Sequence, residues 1–270
     1  MTTTLPPVSL SASDGVATIR LTRPDAGNAL DLPGAVAFRD AVAEVASAVD
    51  RVRVVVLRSD GRLFCAGGDV RAMAAAADRP AFVAELAGVL HASLEALRAL
   101  PVPVVAVVQG AAAGAGVGLV LAADVVLAAD HTTFVAAYPS VGLSPDCGVS
   151  ALLPAVVGAR RAALFLLTGT PVDAATALDW GLVSEVCPAE TLDARAGEVV
   201  AAIAALPRQA VGEAARLVRR SGERSYAASL ADEAATIARL AATTEAGDLL
   251  EAFARPHPTT PTPPTDGDTP

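Results

Sequence analysis

Two glycine-rich segments constrain this chain most: Phe64-Cys65-Ala66-Gly67-Gly68-Asp69 and Gln109-Gly110-Ala111-Ala112-Ala113-Gly114-Ala115-Gly116-Val117-Gly118. Each follows a β-branched apolar run, at 52–58 and 104–108, and precedes a helix-like run. Strands that alternate with helices in this way predict parallel βαβ units and an α/β fold. The same turns leave backbone N–H groups bare at a helix start. Two such donors from separate segments, converging on one oxygen, form an oxyanion hole. That points to carbonyl chemistry, provided an acid or base stands nearby.

The remaining pattern supports the α/β reading. Residues 8–21 read as two short strands around Ser13-Asp14-Gly15, and 23–28 as a loop. Residues 32–49 have helical apolar spacing, with Asp31 as cap and Pro33 in the first turn. A helix is expected over 81–100, a strand over 104–108 and a helix from about 114 to 122. Short strands are expected at 125–128 and 133–135. Ser144-Pro145-Asp146 has the cap, proline and acid order of a helix start, with the helix running to about residue 157. Helices follow at 160–167 and 173–180, the latter ending at Gly181. From 192 to 253 the pattern is almost wholly helical, broken at Pro207 and Gly222. The expected organisation is a core over 1–190, a helical region over 191–255 and a disordered Pro/Thr-rich tail over 256–270.

Composition removes several function classes. Hydrophobic residues make up 53% and charged residues 18%, which implies extensive burial, including burial between subunits. All 20 basic residues are Arg, so a lysine Schiff base, a Ser-Lys pair and a P-loop lysine are excluded. Net charge is −9 with no basic cluster, so no nucleic-acid footprint is present. Cys65, Cys147 and Cys187 are isolated, as are His91, His131 and His257, so neither a disulfide framework nor a metal site is expected. Residues 1–7 lack the basic and apolar regions of a signal peptide, and a cytoplasmic location is expected. The nearly uncharged stretch 102–129 has the small-residue spacing of a membrane helix at Gly110, Gly114 and Gly118. Pro101, Pro103, Gln109 and the glycines divide it, and Asp124 lies near its helix end, so a soluble core element is expected and no membrane partner.

Two other readings of the glycines fail on spacing. Gly114-x-Gly116-x-Gly118 is not the dinucleotide fingerprint, and no acid follows about twenty residues on at a strand end. Gly142-x-Ser144-x-Asp146 lacks the final glycine of a nucleophile elbow.

Five matches in order carry a family resemblance: Arg23-Pro24 with Asn28-Ala29-Leu30; Phe64 to Asp69; Pro103 to Gly118; Gly142-Leu143; and Ala177-x-x-x-Gly181-Leu182-Val183. Over residues 8–255 the chain resembles the crotonase superfamily, the enoyl-CoA hydratase/isomerase family. The resemblance implies a ββα spiral core, a C-terminal helical trimerisation region, and a homotrimer or dimer of trimers. It implies an acyl-CoA thioester substrate, with coenzyme A entering as part of that substrate and no separate cofactor. The oxyanion hole would come from the N–H groups of Gly68 and Ala115. Ala26, Ala66, Asp69 and Val70 would line the coenzyme A path, Gly114 and Leu143 would also bind substrate, and Tyr138 would form a pocket wall or donate its hydroxyl to the acyl group. Arg255 is the nearest match to a basic residue that holds coenzyme A phosphates in other members.

The chain also departs from that family. The two glutamates with which typical hydratases activate water fall at Gly118 and Tyr138, so direct hydration by the usual route is not expected. Asp146 stands where several isomerases of the family place their acid/base. One carboxylate suffices for isomerisation, removing a proton at one carbon and returning it at another. The plainer reading is that Asp146 only serves the dipole of its helix start. His91, Tyr138 and Asp146 together fall where an aryl-CoA dehalogenase of the family carries a His, a Trp and a nucleophilic Asp, while His91 also suits a packing role. An acyl-CoA-binding homologue without turnover is the non-enzymatic alternative.

Overall fold

A computed structural model describes residues 6–255, so the expected 256–270 tail lies outside the described residues. β1 (Val8–Ser13) and β2 (Val16–Leu21) form a hairpin. Asp14 and Gly15 take positive φ at its tip, as a tight turn between right-twisted strands demands. α1 (Leu32–Ser47) starts at Asp31, whose carboxylate accepts the Gly34 N–H at 2.8 Å. β3 (Val54–Ser59), α2 (Val70–Ala75), α3 (Arg79–Ala99), β4 (Val104–Val108), β5 (Ala111–Ala113), α4 (Ala115–Leu121), β6 (Val125–Ala129) and β7 (Thr133–Val135) follow. The chain continues through α5 (Val149–Val157), α6 (Ala159–Thr168), β8 (Val172–Asp173), α7 (Ala174–Trp180), β9 (Glu185–Cys187), α8 (Leu192–Ala205) and α9 (Arg208–Arg219).

Six strands form one sheet in the order β1-β2-β3-β4-β6-β9, parallel from β2 onward. β5, β7 and β8 form a second, small sheet. The β-branched runs are continuous rather than alternating because both faces of the large sheet are covered. Val55, Leu57, Val104, Ala106 and Val108 join the main core with α1, α3 and α4. Val54, Val56, Val105, Val107 and Leu127 pack on Leu192, Ala196 and Val200 of α8. The 102–129 stretch is therefore β4, β5, α4 and β6 in sequence. α3 is long and apolar enough to cross a membrane by length and composition. One side of it, through Leu86, Leu90, Leu94 and Leu97, is buried in the main core.

The described residues form two compact units divided between Ser225 and Tyr226. α8 and α9 belong to the first, although their pattern groups them with the C-terminal helices. α9 is fastened by Arg219, only 5% exposed, which donates to both oxygens of Asp124 and to the carbonyls of Arg98, Leu100 and Val102. The second unit contains α10 (Tyr226–Ala241) and α11 (Thr244–Ala254). Thr243 separates them by capping α11 through the Ala246 N–H.

One helix start differs from expectation. α5 begins at Val149, not at Ser144. Cys147 at φ +50° and Gly148 at φ +75° turn the chain out of the helical region, so residues 143–146 form a loop. Asp146 supplies a backbone carbonyl to the Val149 N–H, while its carboxylate caps nothing.

Candidate active site

The two glycine-rich turns lie against each other. Ala113 N–H donates to the Cys65 carbonyl at 2.8 Å, and the Cys65 N–H to the Ala111 carbonyl at 3.2 Å. Glycine is required at the seam. A Cβ on Gly67 would stand 2.9 Å from the Ala113 carbonyl oxygen, and one on Gly116 would stand 2.4 Å from that of Cys65. Ala115 opens α4 and Gly68 follows the first turn. Among the described residues neither amide N–H has an acceptor in the protein. Both residues line one cleft of about 680 Å³, so its wall carries two unspent donors from separate segments.

The same cleft receives Ala66, Val70, Gly114, Tyr138, Leu143 and Asp146, all expected at the site. Ala26 and Asp69 line an adjoining groove of about 690 Å³ with Arg23, and Ala66, Gly68 and Val70 line both spaces. Buried Asn28, at φ +55°, shapes the loop that carries Ala26. Its amide donates to the Asp60 and Leu63 carbonyls, each at 2.8 Å. Asp69 has a structural task as well, accepting the Arg71 and Ala72 N–H groups at the start of α2 and meeting Arg23 at 3.4 Å. Arg255 is exposed just after α11. The apolar wall from Met73, Val83, Leu86 and Leu90 was not read from the sequence, since helical spacing marks a core face without saying that part of it stays open.

Asp146 is the one carboxylate among the described residues that line the cleft. Its Oδ1 accepts the Tyr138 hydroxyl at 2.9 Å. Burial, and then the charge of Asp146, push the Tyr138 phenol above its ordinary range. Tyr138 therefore keeps its proton and acts as a donor to Asp146. Gly118 lies beneath the loop, where a Cβ would be 2.6 Å from the Cys147 Cβ and 2.7 Å from its carbonyl oxygen. The place where the family resemblance implies the first hydratase glutamate is therefore filled by Cys147. Burial raises the Cys147 thiol, with Asp146 adding to it, and raises Cys65 to about 12, so neither is an activated nucleophile.

His91, on α3, contacts this loop across 56 residues of sequence: its Nε2 accepts the Cys147 N–H at 3.0 Å. Nothing in the local pattern of either segment signals that contact. His91, Asp146 and Cys147 bring one potential ligand atom each to within 4.8 Å of one another. The imidazole Nε2 lone pair is engaged by the Cys147 amide, and burial raises the Cys147 thiol.

Among the described residues the cleft joins two unspent backbone donors to one carboxylate. Trans-2-decenoyl-[acyl-carrier-protein] isomerase of Streptococcus mutans is 35% identical over 185 residues, covering 68% of this chain and 70% of that protein. 4-Chlorobenzoyl coenzyme A dehalogenase-2 of an Arthrobacter species is 34% identical over 207 residues, covering 76% and 75%. The crystal structure of an enoyl-CoA hydratase from Mycobacterium smegmatis superimposes with a TM-score of 0.86 at 33% identity, covering 92% of this chain and 96% of that one. The superposition identifies the two-sheet α/β architecture as the crotonase fold. Residues 11–255 match the sequence profile described as Enoyl-CoA hydratase/isomerase, and the chain belongs to that family.

Proposed function

We propose that this acyl-CoA-processing enzyme is an enoyl-CoA isomerase that moves a double bond along the acyl chain with Asp146 as its single acid/base. The observation that carries the proposal is the placement of Asp146. Its carboxylate caps no helix, takes the Tyr138 hydroxyl at 2.9 Å and is the sole described carboxylate of the cleft that holds Gly68 and Ala115. Asp146 removes a proton from the carbon next to the thioester carbonyl of a 3-enoyl group. The C–H pair becomes a new double bond and charge moves to the thioester oxygen, where the Gly68 and Ala115 N–H groups receive it. One such donor is worth about 3–4 kcal/mol in the transition state. The enolate then collapses, and Asp146 returns the proton to the γ-carbon, so no atom is gained or lost. Hydration would need a second carboxylate to direct water, and Gly118 with Cys147 above it offers none.

A second reading rests on one observation, the approach of a His91 ring nitrogen to within 4.8 Å of Asp146. Asp146 would displace halide from a haloaryl thioester and water would cleave the resulting ester. The engagement of Nε2 by the Cys147 N–H speaks against a free base there. We propose in addition that the enzyme needs no cofactor beyond the coenzyme A of its substrate. It works in the cytoplasm, where its three buried free thiols suit a reducing compartment.

Incubation with 3-enoyl-CoA and 2-enoyl-CoA in deuterated water tests the assignment. Isomerisation with deuterium entering the acyl chain is expected, and D146N should lose it by about 10²- to 10⁴-fold. Efficient hydration of crotonyl-CoA, halide release from a haloaryl-CoA, or tight binding without turnover would each replace the isomerase assignment.

A further inference from the structure

We infer that His91 is a positioning residue: its Nε2 holds the Asp146 loop through one hydrogen bond and takes no proton in the reaction. The inference rests on Asp146 being the acid/base of the cleft. Cys147, the next residue, sits at φ +50°, where side chains other than glycine are rarely found. Gly148 follows at φ +75°, so two successive residues turn the chain just after the acid. The Cys147 N–H points out of this turn to α3, where His91 Nε2 accepts it at 3.0 Å. On the opposite side the Cys147 side chain rests on Gly118 of α4, in space that any other residue at 118 would fill. The backbone behind Asp146 is thus pinned between two helices, while Tyr138 fixes the carboxylate itself. Release of any one contact lets the acid swing relative to the Gly68 and Ala115 donors.

Chemistry decides what His91 does. A nitrogen that accepts an amide N–H carries no proton, so the ring proton is on Nδ1. The accepting lone pair is occupied, and Nε2 cannot abstract a proton without releasing Cys147. A glutamine side chain of similar reach places an amide oxygen near the same point and accepts the same hydrogen bond, yet it is no base. Leucine fills the space and accepts nothing.

H91Q and H91L in the full chain separate these roles. The readouts are kcat and KM for deuterium exchange into enoyl-CoA, and hydrogen exchange at the Cys147 amide. H91Q should keep the amide protected and stay within about threefold of the wild-type kcat. H91L should lose that protection and about 10- to 100-fold in kcat with little change in KM. Two variants equally inactive with the amide still protected in H91Q would make His91 a base and overturn the inference. Full activity or unchanged protection in H91L would overturn it too. If the wild type exchanges no enoyl-CoA, the isomerase assignment fails separately, and the amide data alone then decide. Protection kept in H91Q and lost in H91L supports the hydrogen-bond role.

Discussion

Tyr138 shows how one side chain can take over a position and change its chemistry. Where the family resemblance implies a hydratase glutamate, this phenol is buried, keeps its proton and donates to Asp146. A hydrogen bond to a charged group contributes about 1.5–3 kcal/mol. Y138F should therefore lower kcat by about tenfold or more and the melting temperature by a few degrees, with KM nearly unchanged because the ring still fills its site. Steady-state kinetics beside a thermal melt check this, and an unaltered kcat would reduce Tyr138 to a wall of the cleft. Several residues that line the cleft were legible because each is a type-specific signal: glycines and alanines at two turns, and an acid where the family resemblance implies one. The Tyr138–Asp146 bond was not, since both side chains were placed at the site with no rule to say that they meet. The His91–Cys147 contact joins segments whose spacing carries no code for it.

At the level of elements, local signals placed most helices and strands to within a few residues, and failed where tertiary contacts decide. Ser144-Pro145-Asp146 has every local mark of a helix start, yet α5 begins at Val149. The left-handed Cys147 costs conformational energy that packing against α3 and α4 has to offset. The displaced start is what frees the Asp146 carboxylate from helix capping. β8 and β9 are too short to show a period, and each exists by pairing with a neighbour. α9 makes the energetic case most clearly. R219M would leave the Asp124 carboxylate with the Val104 N–H but no guanidinium, and three backbone carbonyls without Arg219, in a site where Asp124 is 15% exposed. A loss of about 3–5 kcal/mol is expected, and urea unfolding with an unchanged slope would measure it. A loss below about 1 kcal/mol would mean that the pair behaves as a surface ion pair.

At the level of the whole molecule, α8 and α9 belong with the sheet. Burial of a Leu or Val is worth about 1.5–3 kcal/mol each, so Leu192 and Val200 under the sheet draw α8 into the first unit. The second unit leaves large apolar side chains in water: Ile237 on α10, and Leu249, Leu250 and Phe253 on α11, the last 87% exposed. We propose that these faces are buried between copies in a homotrimer or a dimer of trimers. Light scattering after size exclusion should give a mass three or six times that of the chain, and I237E with F253E should shift it toward the monomer. A wild-type monomer would contradict the proposal.

By itself the sequence determined the alternation of buried strands and helices, because continuous β-branched runs between helical periods are stable only in a sheet covered on both faces. It also determined the two bare turns, because small residues there are what let backbones approach to hydrogen-bonding distance. The tertiary structure alone decided what holds the Asp146 carboxylate toward the cleft. Asp146 owes its direction to Tyr138, to a histidine 56 residues upstream of Cys147 and to the missing side chain of Gly118. These contacts join residues far apart in the chain, and no local period encodes the directions in which their side chains meet.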